Sequence, residues 1–162
     1  MITVKTPQEI AIMRQANRIL ALLFEHLKGM IGPGITTAEL DREAELFILS
    51  LNALPAFKGY RGFPATLCTS VNDEVIHGIP SSRKLAAGDI VSIDVGALYE
   101  GFYSDSARTF TVGDVTREAQ RLMDTTEKAL YAGNEQARPG NPLHDISEAI
   151  QTVVGAAGYH LD

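Results

Sequence analysis

The sequence predicts an α+β fold, and three observations carry that prediction. Two capping boxes in the first third each open a run of apolar residues at helical spacing, a glycine-rich middle third shifts toward the two-residue period of strands, and the last third returns to helical spacing. At 162 residues, 45% apolar and 21% charged, the chain is long enough for one compact domain with its own core and too short for two, so a single domain over 1–162 is expected.

The elements follow in order. Thr6-Pro7-Gln8-Glu9 is a capping box with proline at the first helical position. Ile10, Met13, Leu20, Leu23 and Leu27 then recur at helical spacing as far as Gly29, which predicts a helix over about 7–28. Gly32-Pro33-Gly34 makes a turn, and Thr36-Thr37-Ala38-Glu39 opens a second helix running through about Leu51. Past Pro55, β-branched and aromatic residues between glycines predict strands near 65–71, 89–98 and 102–112. From Thr116 onward the pattern is helical again. One helix ends at Ala137-Arg138, Pro139-Gly140 follows, and a further helix from about Leu143 carries Ile146, Ile150 and Val153. This repeats the earlier helix, Pro33-Gly34, helix arrangement about 106 residues on, so the chain contains a helix-helix-sheet unit and then the helices of a second such unit.

Composition narrows the function. A net charge of −6, with no basic run longer than Arg83-Lys84, argues against a nucleic-acid face, and no apolar run reaches the length of a membrane span. The segment MITVKTPQEI lacks the basic and apolar regions of a secretory signal, and Cys68 is the only cysteine. A reducing, cytoplasmic setting is expected.

The stretch IDVGALYEGFYSDSARTF places Asp94 and Asp105 inside strand-like runs. If Glu100-Gly101 is a two-residue hairpin loop with Leu98 set against Phe102 or one residue further on, the parity of the loop decides their relation. An even-length loop makes opposed residue numbers add to an odd total. The numbers 94 and 105 also add to an odd total, so the two aspartates then share a face, opposite or diagonal. A three-residue loop would separate them. Val91, Ile93 and Val95 alternate with Ser92, Asp94 and Gly96, which puts Asp94 on the less apolar face. Two such carboxylates repel each other, and burial of an unpaired one is costly. Either Asp105 pairs with Arg108 or begins a turn while Asp94 takes hydroxyl or backbone hydrogen bonds, or the pair holds a divalent cation through hard oxygen ligands on neighbouring strands.

Three motifs in order, GYRGFPATLCTSVNDEVIHGIP (59–80), GDIVSIDVG (88–96) and GFYSDSARTFTVG (101–113), give the chain a close resemblance to the type I methionine aminopeptidases over essentially its whole length. The resemblance implies the pita-bread fold, two pseudo-symmetric α+β halves around a two-metal centre, and hydrolytic removal of the first methionine from new proteins. It implies that Asp94 chelates one ion and Asp105 bridges two, that His77 contacts substrate near the scissile peptide, and that Tyr60, Phe63 and Cys68 wall the methionine pocket. Many relatives carry tyrosine at the place of Phe63. The implied cofactors are two divalent ions (cobalt, manganese, iron or zinc). The implied partners are methionyl amino termini of nascent proteins and the ribosome, with no direct nucleic-acid or membrane partner. Related peptidases that cleave before proline share the fold, and His77-Gly78-Ile79-Pro80 favours the methionine enzyme.

The family's remaining ligands, one histidine and two glutamates of which one is the general base, follow the position of Asp162. His144 and His160 do not stand in the family's glycine-flanked histidine motif. The expectation is therefore the amino-terminal part of such an enzyme, inactive or weakly active by itself. A non-catalytic peptide-binding module of the same fold, or a self-associating half in which a second copy supplies the missing sheet, are the alternatives.

Overall fold

A computed structural model describes residues 3–161. The chain forms two compact units, one up to Val115 and one from Thr116.

In the first unit, helix α1 (Pro7–Lys28) and helix α2 (Thr37–Ser50) both begin in full capping boxes. Glu9 N donates to Thr6 Oγ1 over 3.2 Å while Thr6 N donates to Glu9 Oε2 over 2.7 Å, and Thr36 with Glu39 repeats the arrangement. Each box satisfies amide donors that have no partner within the helix. The inward stripe of α1 is Ala16, Ile19, Leu20, Leu23, Phe24 and Leu27, that of α2 Leu40, Ala44 and Ile48.

These stripes close one face of an antiparallel sheet. Strand β1 (Leu54–Pro55) and strand β2 (Leu67–Val71) lie along one side of the long strand β3 (Ile90–Tyr99), and strand β4 (Phe102–Thr111) lies along its other side. A single 3₁₀ turn at Tyr60–Gly62 lies between β1 and β2. Leu67 and Val71 of β2 and Val91, Ile93 and Val95 of β3 are fully buried in the core with the helices. Side chains alternate across a strand, so the intervening residues look the other way. On β4, Ser104 Oγ donates to Ala16 O of α1 over 3.1 Å and Arg108 Nη1 donates to Glu25 Oε1 over 3.0 Å, which fixes the even-numbered residues of β4 on the helix side. The second unit is a pair of helices, α3 (Arg117–Gln136) and α4 (His144–Ala156), with Gly133 packed close against Ile146 and Ile150.

The predicted strands and helices are all present, with ends shifted by one or two residues. Two elements were not expected, the short β1 and the 3₁₀ turn. Of the two pairings the Glu100-Gly101 loop allowed, the hairpin takes the second: Tyr99 is opposite Phe102 and Leu98 is opposite Tyr103. The reason is local. Glu100 and Gly101 both adopt positive φ, 46° and 83°, the backbone of a two-residue turn whose twist matches that of the flanking strands.

Candidate metal centre

The register of β2, β3 and β4 builds the open face of the sheet rung by rung. One rung is Cys68, Asp94 and Ala107; the next pairs Gly96 with Asp105; the one on the other side is Ser70, Ser92 and Thr109. Asp94 and Asp105 therefore lie diagonally on one face of adjacent strands, the relation that an even-length loop requires. The Arg108 alternative fails, because Arg108 belongs to the helix face and engages Glu25. Among the described residues no basic side chain forms an ion pair with either aspartate.

The electrostatics follow from this placement. Asp94 is half-buried and Asp105 is exposed. Burial, the neighbouring Asp105 charge and a proton shared with Asp105 all raise the Asp94 pKa above its ordinary value, against smaller opposing effects from His77 and the Val95 amide. Cys68 is 5% exposed and directly opposite Asp94. Burial first, then Asp94, Asp105 and Asp41, push its thiol up to about 11. This face concentrates carboxylates, and a cation would offset their repulsion. Two adjacent hard oxygen donors fit a divalent ion in kind, though such ions take six or more oxygen ligands or a shell completed by other donors.

His77 sits on the connection after β2, exposed and with φ of 58°. The structure thus brings Cys68, Asp94 and Asp105 onto one face, with His77 on the connection that leaves β2. Tyr60 and Phe63 lie on the connection between β1 and β2; Tyr60 is 64% exposed with its ring 5.4 Å from the Arg61 guanidinium, and Phe63 is partly buried. The late histidines, His144 and His160, belong to the second unit. His144 clusters with Asp145 and Glu148 at the start of α4, on the exposed surface of the second unit.

Three residues that sequence reasoning passed over shape the site. Phe57 lays its ring against Gly96, where any Cβ would collide with it. Asp41 of α2 accepts hydrogen bonds from Thr66 N and Leu67 N, at 2.9 and 2.8 Å, and so anchors the start of β2 that carries Cys68. Its pKa is raised by burial, partly offset by those two amides. Ser70 accepts from the Gly78 amide at 3.2 Å. The one sequence signal for these was a carboxylate beside the apolar stripe of α2 at Asp41.

The chain belongs to metallopeptidase family M24, whose sequence profile matches residues 11–162. Within that family its likeness is to methionine aminopeptidases. It is 53% identical over 154 residues to methionine aminopeptidase 1 of Bacillus subtilis, covering 95% of this chain and 62% of that relative. The crystal structure of methionine aminopeptidase from Rickettsia prowazekii superposes with a TM-score of 0.94 at 40% identity, covering 96% of this chain and 63% of that one. Xaa-Pro dipeptidase from Bacillus anthracis shares the fold at a TM-score of 0.85 and 26% identity, covering 96% of this chain and 42% of that one. The pita-bread fold expected from the motifs is therefore shown, and the chain spans less than two thirds of the length of curated methionine aminopeptidases that it matches.

Proposed function

We propose that this chain carries the first half of the active site of a methionine aminopeptidase, acting in the cytoplasm on the methionyl amino termini of nascent proteins. The observation that carries this reading is the diagonal Asp94–Asp105 pair on the open sheet face, with Asp94 destabilised in its ionised form by burial and by the neighbouring Asp105 charge.

Asp94 and Asp105 would hold the divalent metal. Bound there, such an ion supplies an acidified water as nucleophile and positive charge at the reacting carbonyl. The protein's own residues do the rest. As the family resemblance implies, Asp105 would serve as a ligand shared between two ions and Asp94 as a ligand to one. His77 contacts the substrate beside the scissile peptide bond. Cys68, with Tyr60 and Phe63, forms an apolar wall for the methionine side chain; the raised thiol pKa keeps Cys68 neutral and apolar at physiological pH. Phe63 has no hydroxyl, so that wall offers no hydrogen bond at its position. The two aspartates do not complete a metal shell, and the chain by itself is expected to be inactive or weakly active.

The test is hydrolysis of the peptide Met-Ala-Ser by protein of verified intact mass, with manganese or cobalt added and with chelator. Little or no cleavage by this chain, together with metal-dependent cleavage by a version extended to the length of its relatives and loss of that cleavage in Asp94→Asn, supports the reading. Metal-independent cleavage, or an extended protein whose activity ignores Asp94→Asn, refutes it.

A further inference from the structure

His77 has to be held in place by something, because its connection carries Val75, Ile76 and Ile79 exposed and its own φ of 58° lies in the left-handed region, which is unfavourable for a residue with a side chain. Such a conformation persists when the surroundings impose it. The restraint is at the next residue. Gly78 N donates to Ser70 Oγ at 3.2 Å, and Gly78 O accepts from Thr69 N at 2.8 Å. The Gly78 backbone lies so close to β2 that a methyl group there would collide with the Thr69 carbonyl and crowd Ser70 Cα. Gly78 is thus docked on the edge of β2 away from β3, as one further rung of the sheet.

Of these contacts, only the Ser70 hydroxyl comes from a side chain. Ser70 is 5% exposed and opposite Ser92, one rung from the Cys68–Asp94 pair, on the face that carries the metal site. A buried hydroxyl at that position demands a partner, and the Gly78 amide is the one it has. Ser92 does not compete for it, since its own hydroxyl is paired with Thr109 Oγ1 at 2.8 Å.

We propose that Ser70 is a positioning residue for substrate recognition: by holding the Gly78 amide it fixes the connection that carries His77, and with it the imidazole. Its functional consequence rests on the reading of His77 as a substrate contact; the positioning itself does not. Ser70 touches neither metal nor substrate.

The experiment compares Ser70→Thr with Ser70→Val, two side chains of the same shape of which only threonine keeps the hydroxyl, with Ser70→Ala as a third, smaller variant that adds no bulk to the site. Two quantities are read in the chain itself by NMR, the His77 ring resonances and the exchange rate of the Gly78 amide. Melting temperature serves as the control for a merely structural effect. The expected result is wild-type ring shifts and slow exchange in Ser70→Thr. Ser70→Val and Ser70→Ala should show displaced His77 resonances and Gly78 exchange faster by about fivefold or more, the net worth of one hydrogen bond. Identical His77 resonances and identical Gly78 exchange in the threonine and alanine variants would overturn the proposal. Met-Ala-Ser affinity is measured alongside in the extended enzyme. Displaced His77 resonances with unchanged KM and kcat would leave the positioning standing and remove His77 from substrate recognition, so the two readings fail separately.

Discussion

Replacing Asp94 by asparagine should make the metal-free protein more stable, although the residue lies at the centre of the proposed active site. The folded state holds Asp94 half-buried beside Asp105, so folding favours its neutral form and raises its pKa above the ordinary 3.8. For an acid with a raised pKa the sign is fixed. The stabilising contribution is complete below the ordinary carboxylate range and is lost as pH rises through the folded value, so at pH 7 the ionised pair is a net cost. Two unit charges about 4 Å apart repel by about 1 kcal/mol in water-like surroundings and about 4 kcal/mol at an effective dielectric of about 20. Asp105 is exposed, which screens the pair and puts the cost at about 1–2 kcal/mol. For a chain of this length each kcal/mol is worth about 2–4 °C, so Asp94→Asn should melt about 2–8 °C higher at pH 7 in chelator. The assay is thermal unfolding by circular dichroism across pH 3.5–7.5, with and without manganese. The advantage of the variant should shrink on acidification, and added metal should raise only the wild type. A variant that melts below wild type in chelator at pH 7, or an advantage that does not shrink with acid, refutes the reasoning.

Two further outcomes follow from the same face. Cys68, with its thiol pushed up to about 11, should react with Ellman's reagent at pH 8 about 100-fold more slowly in the native protein than in guanidinium-unfolded chain; rapid native reaction would contradict its burial opposite Asp94. Removing the carboxylate in Asp41→Ala leaves the Thr66 and Leu67 amides without their acceptor, and should lower stability by about 2 kcal/mol in urea denaturation, with Asp41→Asn costing less because its amide oxygen can still accept.

What could be read from the sequence was what local chemistry decides. Both helices of the first unit are written in four-residue capping boxes, and each partner needed to see them lies three residues away. The shared face of Asp94 and Asp105 required only the parity of the turn. Which of the two pairings closes the turn was less accessible, since it depends on Glu100 accepting φ of 46°, which no residue preference at a glutamate announces. Strand β1 is two residues long and one is proline, which cannot donate to a ladder, so no periodicity marks it. Asp41 was out of reach for a different reason. Its partners are 25 and 26 residues away, and nothing within α2 reveals that its carboxylate caps the start of a strand.

The open face of the sheet is also what separates a functional site from an ordinary solvated surface. A sheet backed by helices on one side can leave its other side to water, and polar residues there need no further account. Here, however, the polar face is not simply wet: Cys68 and Ser70 on it are each only 5% exposed, and Asp94 between the strands is half-buried. Surface selection for solubility would place single charges apart and in the open. This chain sets two carboxylates diagonally on one face and turns the nearest arginine of β4 to the opposite side, where it engages Glu25. That arrangement lowers the stability of the isolated fold, and bound positive charge would relieve it.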